Sequence, residues 1–180
     1  MDYLKKNSIY TEKNHKIKSK LIDNETYSLA SQSMIIVCTD AIIVDRKNKL
    51  FYLAKRSVQP MKGYWSIGGR RRAGETSQQA IQRNFHRETS LKLPLKRFKL
   101  LAVRECIWST RKEHPINVGK HDIIFFHVVE LNKKELAKAN TYLCSSEYET
   151  RSLESFNYKK MLEKKIHPAL VDNYKLFFRS

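Results

Sequence analysis

The chain is poor in three things. Its 180 residues contain three cysteines, five glycines and 18 acidic side chains against 35 lysines and arginines. The cysteines, Cys38, Cys106 and Cys144, are odd in number, far apart and without CxxC spacing, which argues against a disulfide scaffold and a thiol zinc site. Two of them lie in or beside apolar runs and read as buried, reduced thiols. No long hydrophobic run is present either. The longest nearly apolar stretch, Met34 to Val44, is interrupted by Thr39 and Asp40 and is too short to span a bilayer. The lysine-rich first twenty residues have no apolar segment of signal-peptide length. These absences set the expectation of a soluble, intracellular, cytoplasmic protein with no membrane partner. No internal repeat is visible, and 41% hydrophobic content is enough for a core.

The acidic deficit leaves a formal charge of +17. Such a field favours anionic partners, including nucleotides and RNA, although a merely solvated surface explains it equally well.

Along the chain, residues 1–20 read as a basic, weakly patterned arm and 21–180 as one domain. Asn24 is a candidate cap for a short helix. Met34 to Val44 and Leu50 to Ala54 read as a β-hairpin, with further strands at Lys99 to Cys106 and Asp122 to Leu131. Helices are expected at Ser77 to Thr89, Lys133 to Asn140 and Ser152 to Lys165, and from Pro168 through Phe178. This order of elements gives an α/β (α+β) class.

The scarce glycines are concentrated. Gly63, Gly68, Gly69 and Gly74 fall within twelve residues and lead directly into the Ser77 helix. Glycines in a loop before a helix let backbone groups approach a phosphate or a metal ion closely. Glu75 and Glu88 are candidate oxygen ligands. Arg70, Arg71, Arg72 and Arg83 suit phosphate oxygens because guanidinium matches their geometry.

The spacing is more specific. Gly69, five residues, Glu75, seven residues, Arg83, then Phe85, Glu88 and Leu91 resembles the Nudix box, G-x5-E-x7-R-E-U-x-E-E-x-G-U, where U is bulky and apolar. Asn84, Arg87 and Ser90 depart from it, standing where the box has Glu, Glu and Gly. The lead-in Ala54-Lys-Arg56-Ser-Val-Gln-Pro60-Met-Lys-Gly63-Tyr-Trp65 is similar to that of the GDP-mannose mannosyl hydrolase subgroup, whose box also lacks the Glu after the arginine. The resemblance covers roughly residues 24–155.

It implies a Nudix-type α/β/α sandwich with a mixed sheet, here with a basic N-terminal arm and C-terminal helices. It implies Mg²⁺, or Mn²⁺, held by Glu88, the Gly69 carbonyl and Glu75, and a nucleotide-sugar substrate contacted by Asp40, Arg56, Arg70 and Trp65. Water would attack the anomeric carbon of a GDP-mannose-like nucleoside diphosphate sugar. A homodimer is also implied. Positions 84, 87 and 88 carry charges that sum to zero, so a multi-metal cluster is not expected. The subgroup's catalytic histidine has no counterpart between Ser145 and Leu153, leaving Glu147 or Glu149 as candidate base and Arg83 as a leaving-group contact. Several residues keep two readings. Arg83 either touches ligand or pairs with an acid, Glu75 either orders the loop or binds metal, and Trp65, Tyr64 and Trp108 either stack on a base or fill the core. A conventional pyrophosphohydrolase, or a silent module binding nucleotide or RNA, are the alternative functions.

Overall fold

A computed structural model describes residues 9–10, 17–143 and 146–179. Most of the expected arm and Cys144 therefore lie outside the described residues. The elements in chain order are α1 (Asn24–Ser33), β1 (Ile36–Asp45), β2 (Leu50–Arg56), β3 (Gly63–Trp65), β4 (Ile67–Arg70), α2 (Ser77–Thr89), β5 (Lys99–Trp108), β6 (Lys120–Glu130), α3 (Lys133–Tyr142), β7 (Tyr148–Phe156), α4 (Tyr158–Glu163) and α5 (Pro168–Phe178).

β1 organises the sheet. It runs parallel to β6 along nearly its whole length and antiparallel to β2 and β4 on its other edge, while β5 extends the sheet beyond β6 and β7 pairs with β2. Because successive strand side chains face opposite ways, β1 feeds two cores. Ile42 and Val44 join Phe51, Phe126, Phe156, Met161 and Leu170 under α4 and α5. Ala41 and Ile43 join Ile81, Phe85, Phe98 and Ala139 under α2 and α3. Burial on both faces explains why β1 reads as a continuous apolar run. Phe51, Phe85 and Phe126 have no exposed surface, and burying each favours folding by roughly 1.5–3 kcal/mol. The result is a mixed sheet between two helical layers, as expected.

Local signals place α2 well. Thr76 accepts from the Gln79 amide while the Gln79 side chain accepts from the Thr76 amide, a reciprocal cap. Ser90 ends the helix in the left-handed conformation, with φ 56°.

Two expectations need correction. α1 is capped by Asp23, whose carboxylate accepts from the Thr26 amide at 2.8 Å, and Asn24 is already helical. Residues 152–165 do not form one helix: they divide between β7 and α4. Leu153, Phe156 and Met161 are buried at spacings that imitate a helix, but the free edge of β2 offers Tyr148–Phe156 backbone partners, and Asn157 then caps a new helix. The glycine segment is also more regular than a loop, since β3 and β4 are strands within it. Cys38 and Cys106 are buried free thiols, as expected.

Candidate functional site

The register of β1 against β4 builds the floor of the site. Asp40 lies opposite Gly68, and a Cβ on Gly68 would stand 2.2 Å from Asp40 Oδ1 and 2.3 Å from the Thr39 carbonyl oxygen. Only glycine permits this approach. Asp40 is 5% exposed, and its Oδ2 accepts from Trp65 Nε1 at 2.7 Å and Ser66 Oγ at 2.8 Å. Burial pushes its carboxyl up despite these bonds.

Above this floor opens a cleft of about 1370 Å³. Its lining includes Asp40, Arg56, Gly69, Arg70, Arg83, Arg87 and Glu147, and residues 18–22 run along it with α1. Ten lysines and arginines line it against six carboxylates, so it suits an anion.

The structure brings most of the expected residues together and separates their roles. Arg83 donates from Nε to Glu75 Oε1 at 2.6 Å and from Nη2 to Glu75 Oε2 at 2.7 Å, and Nη2 also reaches the Arg70 carbonyl oxygen at 3.0 Å. The Arg72 amide donates to Glu75 Oε2 at 2.9 Å. Burial works to raise the Glu75 carboxyl, but these bonds together outweigh it and hold it below the usual range. Both oxygens of Glu75 are thus engaged by protein, and the pair clasps the glycine loop to α2. Asn84 extends the clasp, accepting from Arg83 Nη1 at 2.6 Å and donating to Thr39 Oγ1 and the Arg70 carbonyl, each at 3.4 Å. A glutamate there would lose both donor contacts.

Glu88 faces a different partner. Its side chain is 1% exposed, and Arg87 donates to Oε1 from Nε at 2.7 Å, with Nη2 in ion-pair contact with the same oxygen at 2.5 Å. Oε2 is buried with no hydrogen-bond partner. Burial pushes this carboxyl up, against the pull of Arg87.

Arg56 sits at the end of β2 with Nη2 3.6 Å from Glu147 Oε2 and a buried Nε lacking a partner. Glu147 lines the cleft. Glu149, two residues on along the strand, instead pairs with Lys55 at 2.7 Å and does not line it. Arg70 lies over the Tyr27 ring, 3.5 Å from its centroid. Trp65 is 3% exposed and packs edge-on to Trp108, Phe126 and His167, so its ring serves the core and its N–H serves Asp40.

Some of these features carry little or no sequence signal. Tyr27 as the platform for Arg70 has none. Asp122, inside apolar β6 as Asp40 is inside β1, accepts from Trp108 Nε1 at 2.8 Å and pairs with Lys120 at 3.1 Å on the cleft wall; a carboxylate in an apolar run is the available clue. Arg111, with no exposed surface, donates to Ser28 and to the carbonyls of Glu113, His114 and Pro115, tying α1 to the loop beyond β5. His127 is fully buried, and burial pushes it down to about 4.

The donor set does not fit the divalent-metal cluster that the box implies. No three His, Cys, Asp or Glu side chains gather suitably among the described residues. Glu88 offers one carboxylate, and Arg87 is pinned to it. At 4 Å and an effective dielectric near 20, a pair of unit charges interacts by about 4 kcal/mol and a divalent ion with a unit charge by about twice that, so repulsion from Arg87 opposes the attraction of Glu88 for a cation.

A family model for the NUDIX domain matches residues 34–177. The chain belongs to the Nudix family. Among solved structures it is similar to a MutT Nudix hydrolase from Burkholderia pseudomallei, at 19% identity and TM-score 0.59 over 79% of this chain and 98% of that one. The dihydroneopterin triphosphate pyrophosphohydrolase of E. coli matches at 14% identity and TM-score 0.54, covering 79% and 94%. The Ap4A hydrolase of C. elegans matches at 11% and 0.52, covering 80% and 96%. No curated protein matches significantly. No helix among the described residues is long and apolar enough to cross a membrane.

Proposed function

We propose that the chain is a Nudix hydrolase whose arginine-lined cleft takes a nucleoside diphosphate sugar, GDP-mannose-like in class. The observation that carries this reading is the convergence of Arg56, Arg70 and Arg87 on one cleft with the ionisable Glu147 and the buried Asp40. Guanidinium groups suit the diphosphate, and Asp40, which lines the cleft and uses only Oδ2 for Trp65 and Ser66, is a candidate acceptor for a sugar hydroxyl. Glu147 is the base in this reading, because Glu149 is turned to Lys55.

Water would attack the anomeric carbon as Glu147 takes its proton. The bond from that carbon to the diphosphate oxygen would break, its electron pair leaving on the nucleoside diphosphate. The arginines neutralise the departing charge. Attack at carbon needs less charge neutralisation at phosphorus than pyrophosphate cleavage does, which accords with the thin acidic set on α2. Mg²⁺, implied by the family, has no multi-carboxylate site among the described residues, and no step here passes through it.

The experiment is mass spectrometry of nucleoside diphosphate sugars turned over in oxygen-18 water, with and without Mg²⁺ or Mn²⁺. Label on the sugar and a loss of about a hundredfold or more in Glu147→Gln are expected. Label on phosphate would establish a conventional pyrophosphohydrolase instead. The second reading, a silent Nudix module that binds nucleotide or RNA, is favoured by the Arg87–Glu88 pair and the +17 charge. Tight nucleotide binding without product would select it. RNA binding that weakens steeply with salt would register only the net charge.

A further inference from the structure

Position 87 is where the box resemblance has an acid, and here it carries a guanidinium anchored by its neighbour. Nε and Nη2 of Arg87 converge on a single oxygen of Glu88, and Nη2 also lies 3.5 Å from the Gly68 carbonyl oxygen. Nη1 has no hydrogen-bond partner among the described residues. The Arg87 side chain is 51% exposed and lines the cleft beside Arg56, whereas the Glu88 carboxylate is buried beneath it. The guanidinium is therefore held to the protein through Nε and Nη2 while its half-exposed side chain lines the cleft.

We propose that Arg87, oriented by Glu88, is a resident cation of this site: it binds a phosphate group of the ligand directly, so nucleoside diphosphates bind without a divalent metal. Glu88 is then a positioning residue for Arg87 and not a metal ligand. This role rests on the reading of the cleft as a diphosphate site and specifies how the charge is met there. Two observations converge on it, and a consequence follows. The only carboxylate among positions 84, 87 and 88 is occupied by a guanidinium. Asn84 is committed to Thr39, Arg70 and Arg83 as a crosslink between α2 and the sheet. The cation that cancels the charge of Glu88 is covalently part of the chain and cannot be lost by chelation, as a bound ion would be.

The test is calorimetric titration of the intact protein with GDP and UDP, in EDTA and in Mg²⁺, together with Mn²⁺ titration of the protein alone by electron paramagnetic resonance. Affinity for at least one of the two nucleotides should be unchanged by EDTA, and the wild-type protein should show no stoichiometric Mn²⁺ binding. Arg87→Gln should lose about tenfold or more in affinity in both buffers, since a charge-assisted contact is removed. Arg87→Lys, which keeps the charge but not the fork, should retain part of it. Glu88→Gln should weaken binding less than Arg87→Gln. Arg87→Glu places two carboxylates side by side and should create Mn²⁺ binding that the wild type lacks, a gain that misfolding cannot imitate. Affinity abolished by EDTA, stoichiometric Mn²⁺ on the wild type, or wild-type affinity in Arg87→Gln would each overturn the inference. These outcomes are separate from turnover: metal-free binding without hydrolysis leaves the inference standing and removes the proposed reaction, while failure to bind either nucleotide removes the inference together with the diphosphate site.

Discussion

Two arginine–glutamate pairs are built on α2 about one turn apart, through Arg83 and Arg87, and they do opposite things with the same chemistry. In the first, Arg83 places separate donors on both oxygens of Glu75 and a further contact on the Arg70 carbonyl, so both oxygens of the carboxylate are engaged. In the second, Arg87 donates from Nε to one oxygen of Glu88 and holds Nη2 against the same oxygen, leaving Oε2 without a hydrogen-bond partner and half of the Arg87 side chain exposed. The first is a clasp that spends both oxygens of its carboxylate within the protein. In the second, the carboxylate is buried and only the arginine, half exposed, lines the cleft. Identity of residue types therefore does not separate structure from function here; the state of the remaining lone pairs and N–H groups does.

The largest way to break this comparison is to remove the platform under both pairs. Gly68→Ala should cost about 3 kcal/mol or more, because its Cβ meets backbone oxygen as well as the Asp40 carboxylate. Urea unfolding reads this, and a variant within about 0.5 kcal/mol of wild type would contradict the tight β1–β4 approach.

Next comes the buried base in β6, beside Ala41 of β1. His127 titrates at about 4 in the folded chain against about 6.5 when unfolded, so the native state favours its neutral form. Its contribution is complete above pH about 6.5 and is lost as pH falls towards 4, about 3 kcal/mol in all. The difference in unfolding free energy between wild type and His127→Gln should show that slope between these limits, and a difference that does not change with pH would rule it out.

A smaller effect tests the clasp itself. A double-mutant cycle on Glu75→Gln and Arg83→Gln should give a coupling of about 1–2 kcal/mol, larger than for an exposed pair, because both side chains are three-quarters or more buried. Coupling near zero would make the clasp incidental. The smallest effect is at Glu149, whose pair with Lys55 is 42% exposed on each side. Glu149→Gln should change stability by less than about 0.5 kcal/mol and leave turnover intact, in contrast with Glu147→Gln.

Much of the fold and part of the site are legible in the sequence. The apolar run around Ile42 and Ile43 marks a strand, and the helical periodicity from Ser77 marks α2. The failures are informative. Leu153, Phe156 and Met161 read as one helix because their spacing does not separate helix from strand, and only the open edge of β2 selects a strand. Asp23 and Asn24 are both good caps, and one residue of phase decides between them. Trp65 keeps two readings in the sequence because the residues that enclose it, Trp108, Phe126 and His167, come from three distant segments.

The sequence by itself determined the periodicities, the family through its spacing, and the balance of charge on α2, because these depend on chain geometry over a few residues. Tertiary structure alone decided which carboxylates were consumed. Glu75 went to Arg83, Glu149 to Lys55, and Glu147 stayed in the cleft near Arg56. A hydrogen bond depends on ångström-scale approach between segments whose distance along the chain says nothing of their distance in space.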